Sequence, residues 1–165
     1  MADESLATPP PPKERRSWHV TILIAKIVEV ILAIVIVGLM VDPLNSYQKI
    51  FNRPRTKLDD VAFVYVAVAG YLLINVLFLI GYVLGDRIPK RTLIMFSTVG
   101  CAMHIAAASV MVHTWRKAMG SYLDFHNNAI HSSKQYNDMI LSGAFFTFVN
   151  AAVLGADVFL TIKYS

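Results

Sequence analysis

The chain of 165 residues contains a single cysteine, Cys101, so no disulfide can close within it. That excludes four-span designs built on a paired-cysteine outer loop, and it excludes Cys-x-x-Cys redox chemistry. No Asn-x-Ser/Thr acceptor occurs, so N-glycosylation marks no loop as outward-facing. A glycine-rich phosphate loop, a Ser-His-Asp set and a His/Glu helix motif are equally missing. The pattern therefore points away from an enzyme and implies no cofactor. Charge is scarce as well, at 16% of residues against 56% hydrophobic. An ordinary soluble domain is about 45–50% apolar. The excess here is gathered in four blocks, the mark of an integral membrane protein with the lipid bilayer as its first partner. The net charge of +4 is carried by basic residues flanking those blocks, a topology signal that makes nucleic acid a poor candidate partner.

The first block, Val20 to Val41, is 22 residues of nearly pure Ile, Val, Leu and Ala, interrupted by Lys26 and Glu29. Before it, residues 1–18 read as a disordered, Pro-rich basic tail with four consecutive prolines, Pro9 to Pro12. The remainder, 19–165, reads as one transmembrane domain. Asp42-Pro43 is expected to stop the first helix, because proline disfavours helix in the residue before it. The second block, residues 61–85, holds no charge; it carries Asn75 at its middle and Gly81-x-x-x-Gly85 at its end. Glycines four apart flatten a helix face and let a second backbone approach. A short basic turn containing Pro89 leads to the third block, residues 92–115, with Gly100, Cys101 and His104. The fourth, residues 139–162, contains Gly143, Asn150 and Asp157. The expected architecture is all-α: a bundle of four transmembrane helices at approximately 20–41, 61–85, 92–115 and 139–162, with both termini on one side.

Sidedness is harder to read. Seven basic residues (Lys13, Arg15, Arg16, Arg87, Lys90, Arg91, Lys163) lie in the tails and middle turn. Seven others (Lys49, Arg53, Arg55, Lys57, Arg116, Lys117, Lys134) lie in the other two loops. The positive-inside comparison is a tie. The higher density in the tails and short turn favours cytoplasmic termini.

Charges at membrane depth cost a few kcal/mol on insertion scales, so they need a partner, water or a purpose. At ~1.5 Å per residue, Lys26 lies roughly 9 Å and Glu29 roughly 13 Å into the first helix. Asp157, near the end of an oppositely directed fourth helix, lies roughly 8 Å from the same surface. Lys26, Glu29 and Ala33 share a face, and Gly143, Asn150 and Asp157 fall on one seam. The depth match predicts that Lys26 pairs with Asp157 or Glu29 as a clasp between the first and fourth helices. The competing reading is a proton or cation relay through Glu29 and Asp157. Asn75, Asn150 and His104 are the other intramembrane polar candidates; Gly81, Gly85, Gly100 and Gly143 are candidate helix-packing positions. His104 and His113 are nine apart and share neither face nor depth, so one haem cannot use both. His126, His131 and Asp124 have only generic spacing for a metal. Cys101 is surrounded by apolar residues, where a thiol is inert.

One further pattern spans helices two and three: Gly70-Tyr71-Leu72, Leu84-Gly85, a short basic turn, Val99-Gly100, Ile105-Ala106 and His113-Thr114-Trp115. This order resembles snakeskin, the small four-helix membrane protein of arthropod smooth septate junctions. The likeness covers roughly residues 61–120; the first loop, with Arg53-Pro54-Arg55, and the longer Pro-rich tail depart from it. More loosely, the architecture is similar to MARVEL-type tetraspans. The resemblance implies a non-enzymatic plasma-membrane component of an epithelial junction, which restricts paracellular passage by lateral association with other junction membrane proteins. A homo-oligomer is compatible with it. Ion or proton conduction, or a MARVEL-type trafficking role, are the alternatives.

Overall fold

The computed structural model describes residues 12–51, 58–85, 88–124 and 134–164; side chains are described for 20–41, 59–85, 88–116 and 137–163. Four helices make up these segments: α1 (Pro12–Phe51), α2 (Leu58–Leu84), α3 (Lys90–Asp124) and α4 (Lys134–Tyr164). Each contains one stretch long and apolar enough to cross a membrane: Val20–Val41, Asp59–Leu84, Lys90–Arg116 and Asn137–Lys163. The chain is thus a multi-pass membrane protein with four candidate transmembrane helices.

The helices run further than the apolar runs that announce them. α1 begins at Pro12, where a tail through Trp18 was expected, and residues 1–11 lie outside the described residues. Proline suits a first helical turn, since its missing N–H has no intrahelical acceptor there. At the other end α1 passes through Asp42-Pro43 and continues to Phe51, so that dipeptide is not the stop it was expected to be. A proline inside a helix removes one backbone hydrogen bond and crowds the preceding turn, which strains the helix without always ending it. α3 likewise extends through Asp124, and the loop histidines His126 and His131 lie outside the described residues.

The break between α2 and α3 is sharp. Gly85 takes a φ of +81°, the left-handed conformation that ends a helix most readily on glycine, and its N–H donates to the Tyr82 carbonyl at 3.2 Å. The Pro89 carbonyl accepts from Leu93 N–H at 3.2 Å and so opens α3.

Each helix buries one seam at alternating steps of four and three. In α1 it is Ile22, Lys26, Glu29, Ala33, Ile36 and Met40; in α3, Leu93, Ser97, Gly100, His104, Ala107 and Met111. In α4 it runs Ile140, Ala144, Thr147, Ala151 and Leu154, then half-buried Val158 and buried Thr161, with Asn150 and Asp157 beside it. Such a repeat of about 3.5 residues is the one that lets long helices stay in register side by side. The opposite faces carry exposed Ile24, Ile31, Ile34, Leu73, Leu77 and Phe145, suited to lipid. The helices pack as a ring in chain order, most extensively between α3 and α4 and least between α2 and α3. Lys26, early in α1, meets Phe78 late in α2, Ser97 early in α3 and Asp157 late in α4, so successive helices alternate in direction.

The interior is divided along its length. Around the end of α1 that leads to Phe51, the core is apolar: Ala33, Ile36, Met40, Val64, Val68, Ala107, Met111 and Ala144. Toward the opposite end it is polar.

Candidate functional site

Lys26 is the centre of that polar half. Its Nζ lies 2.9 Å from Glu29 Oε2 on its own helix and 2.9 Å from Asp157 Oδ2 on α4. It also donates to Ser97 Oγ on α3, at 3.3 Å. An ammonium has three hydrogens, and all three are thereby directed. Ser97 Oγ then donates to Asp157 Oδ2 at 2.8 Å, closing a triangle across α1, α3 and α4. From α2, the Phe78 ring centroid stands 5.8 Å from Nζ, within cation–π range. All four helices thus converge on one ammonium. Lys26, Glu29 and Asp157 are each 0% exposed, so these contacts are made without competing solvent.

The cluster is not fully satisfied. Glu29 Oε1 and Asp157 Oδ1 are buried and make no hydrogen bond. Asn75 on α2 approaches the Glu29 carboxylate, yet its Nδ2 also lacks a partner. Two carboxylates face one ammonium, so the fully ionised cluster carries one uncompensated negative charge.

A second polar layer lies about two turns further along. His104 Nδ1 is 2.8 Å from the Gly100 carbonyl, which can only accept, so Nδ1 holds the hydrogen. Nε2 is left as the acceptor for Asn150 Nδ2 at 3.1 Å, and this joins α3 to α4 with a neutral imidazole. Tyr71 meets the His104 ring edge-on, with centroids 5.6 Å apart at 78°. The tyrosine ring fits because residue 100 is glycine: a Cβ there would stand 2.5 Å from Tyr71 Cε1. A third layer is lighter. Thr147 Oγ1 donates back to the Gly143 carbonyl at 2.7 Å, and a Cβ on Gly143 would meet Met111 Cε at 3.0 Å.

The expected site residues therefore divide. Lys26, Glu29 and Asp157 come together, with Asn75 beside them; His104 and Asn150 form their own pair; Gly100 and Gly143 lie at tight helix contacts. Gly81 and Gly85 do not. A Cβ on Gly81 would meet only Ile88, in the adjoining turn, at an ordinary 3.6 Å, and Gly85 has open space around it. The Gly-x-x-x-Gly pattern arises here because one glycine ends the helix, not because a second helix crosses it. Sequence reasoning missed Ser97, although it lies seven residues into the third span, close to the six of Lys26 in the first. It also missed Tyr71, Phe78 and Thr147, whose types are ordinary in an apolar helix. His113 is exposed and stands apart from His104, and Cys101 is half-buried. Among the described residues no three His, Cys, Asp or Glu side chains gather into a metal-sized cluster.

Chemically, the arrangement ties helices together and is able to hold a proton. Comparison with protein-family models, with curated proteins and with solved structures finds no match to the chain.

Proposed function

We propose that this protein is a non-enzymatic tetraspan scaffold of the plasma membrane. In this reading it is a structural component of an epithelial cell junction, of septate type, that assembles laterally with other membrane proteins into a paracellular barrier. The observation that carries the scaffold is the inward closure of its charge: Lys26, Glu29 and Asp157 are wholly buried and spend their contacts on one another. A bundle so closed offers lipid and neighbouring proteins an apolar exterior, as a lateral assembly partner does. The junction is supported by the resemblance of residues 61–120 to snakeskin. Both termini are assigned to the cytoplasm on the density of basic residues in the tails and middle turn. The outer loops, 42–60 and 116–138, are then too short for a folded adhesive domain, so contact between cells needs a partner with a larger ectodomain.

Tagged full-length protein in a native epithelium tests the assignment. Lateral membrane staining, with a tracer dye leaking across the layer on depletion, is the expected result. Diffuse staining with an intact barrier refutes it, and intracellular puncta favour a MARVEL-type trafficking role instead. The unpartnered Glu29 Oε1 and Asp157 Oδ1 favour a second reading, a proton or cation conductor or an accessory subunit of one. That reading requires a flux in liposomes that Glu29→Gln reduces.

A further inference from the structure

We propose that Glu29 is the binding site for one exchangeable proton, held as a neutral carboxylic acid beside the Lys26–Asp157 ion pair. This inference stands apart from the junction assignment and from conduction. It requires only the buried cluster.

The first support is charge count. The groups that face Glu29 are Lys26 from α1, Asn75 from α2, Ser97 through Lys26 from α3, and Asp157 from α4; Tyr82 of α2 also faces Asp157. Among these, Lys26 is the one cation, against two carboxyl groups. Burying a surplus charge is opposed strongly enough that a group in such a place takes up a proton rather than remain ionised. A single proton from bulk water, added to one carboxylate oxygen, leaves the cluster neutral, and no other co-reactant is needed.

Geometry then decides which carboxyl carries it. Asp157 Oδ2 accepts two hydrogen bonds, from Lys26 at 2.9 Å and Ser97 at 2.8 Å. Glu29 Oε2 accepts one, from Lys26 at 2.9 Å. Hydrogen bonds to the ionised form favour that form, so Asp157 keeps the charge and Glu29 is neutralised. Oε1 of Glu29, like Oδ1 of Asp157, accepts no hydrogen bond and has room for a hydrogen of its own; the Ser97 hydroxyl, which only Asp157 receives, is what separates the two carboxyls. The amide of Asn75 lies beside the Glu29 carboxylate and its Nδ2 makes no hydrogen bond as placed; a half-turn of the amide, which leaves its outline unchanged, would turn its carbonyl oxygen to that side as an acceptor.

Infrared spectroscopy of the full chain in lipid nanodiscs at neutral pH tests this. The carbonyl stretch of an un-ionised carboxylic acid lies apart from the carboxylate and amide bands. The expected wild-type spectrum shows this band at one acid per chain. Carboxyl-13C glutamate moves it, since the chain has only Glu4, Glu14 and Glu29, and Glu29→Gln abolishes it. Asp157→Asn abolishes it too, because Glu29 then ionises as the sole partner of Lys26. Lys26→Met doubles it, since both carboxyls must then be neutral. Helicity and a single size-exclusion peak establish that each variant is folded, and the labelled wild type decides the question without any variant. Absence of the band from folded wild type, or its survival at full strength in Glu29→Gln, overturns the proposal.

Discussion

Replacing Lys26 with methionine removes the only cation of the buried cluster while keeping an unbranched apolar stem of similar length. Both carboxyls lose the ammonium that stood 2.9 Å away. Asp157, at 0% exposure, retains the Ser97 hydroxyl as its one donor. It must either stay ionised in a low-dielectric core or take a proton. Protonating an ordinary aspartate at pH 7 costs about 4 kcal/mol. Breaking a buried ion pair from one side costs about 3–5 kcal/mol by mutational experience, so the two routes agree. Glu29→Gln is the contrast. It preserves the Lys26–Asp157–Ser97 triangle and places a permanently neutral group where Glu29 must first take up a proton, so it is expected not to destabilise the fold at pH 7. The measurement is reversible SDS unfolding of full-length protein in mixed micelles, followed by helicity and by the fluorescence of half-buried Trp115. The sign with pH is also fixed. Folded Lys26→Met binds more protons than its unfolded form, so its stability falls as pH rises. Its deficit shrinks by about 1.4 kcal/mol for each unit below pH 7, until unfolded aspartate itself is protonated near pH 4. Equal stability of the two variants, or a Lys26→Met deficit that ignores pH, refutes the view that one ammonium holds this core.

Two further predictions concern the layers beyond. Gly100→Ala forces a methyl to within 2.5 Å of the Tyr71 ring, which is itself held against His104, and should cost about 1–3 kcal/mol in the same assay; Gly81→Ala should stay within about 0.5 kcal/mol. A double-mutant cycle of His104→Leu and Asn150→Leu should return a coupling of about 0.6–1.7 kcal/mol; a coupling of zero would mean the 3.1 Å contact holds nothing.

Much of the fold was legible in the sequence because membrane thickness sets the length of an apolar run. The Lys26–Asp157 contact was legible for a related reason: depth in antiparallel spans follows from counting residues. Applied to neutral residues, the same counting also matches His104, fourteen residues from the start of α3, with Asn150, thirteen from the end of the fourth span. Ser97 was harder. Serine is common in apolar helices, and only the rotation of α3, set by tertiary packing, turns it toward Asp157. Gly81 and Gly85 show the converse. Their spacing is that of a packing motif, but spacing carries no information on whether a neighbour is present, and the positive φ of Gly85 accounts for one of the pair. The extension of α1 through Asp42-Pro43 shows local propensity overridden within a long helix.

The convergence of all four helices on Lys26 also dictates an order of events in synthesis. α1 emerges from the ribosome first, while Asp157 lies in α4, which follows the other three. During that interval the carboxylate of the cluster within reach of Lys26 is Glu29, three residues along the same helix. A lone i, i+3 pair makes the segment tolerable to the insertion machinery as a local, nearly neutral unit. Arrival of α4 then recruits the ammonium to a second carboxylate and draws Ser97 into the triangle. A chain interrupted before Asp157 keeps a half-partnered lysine at membrane depth, the kind of feature by which membrane quality control separates unfinished proteins from finished ones.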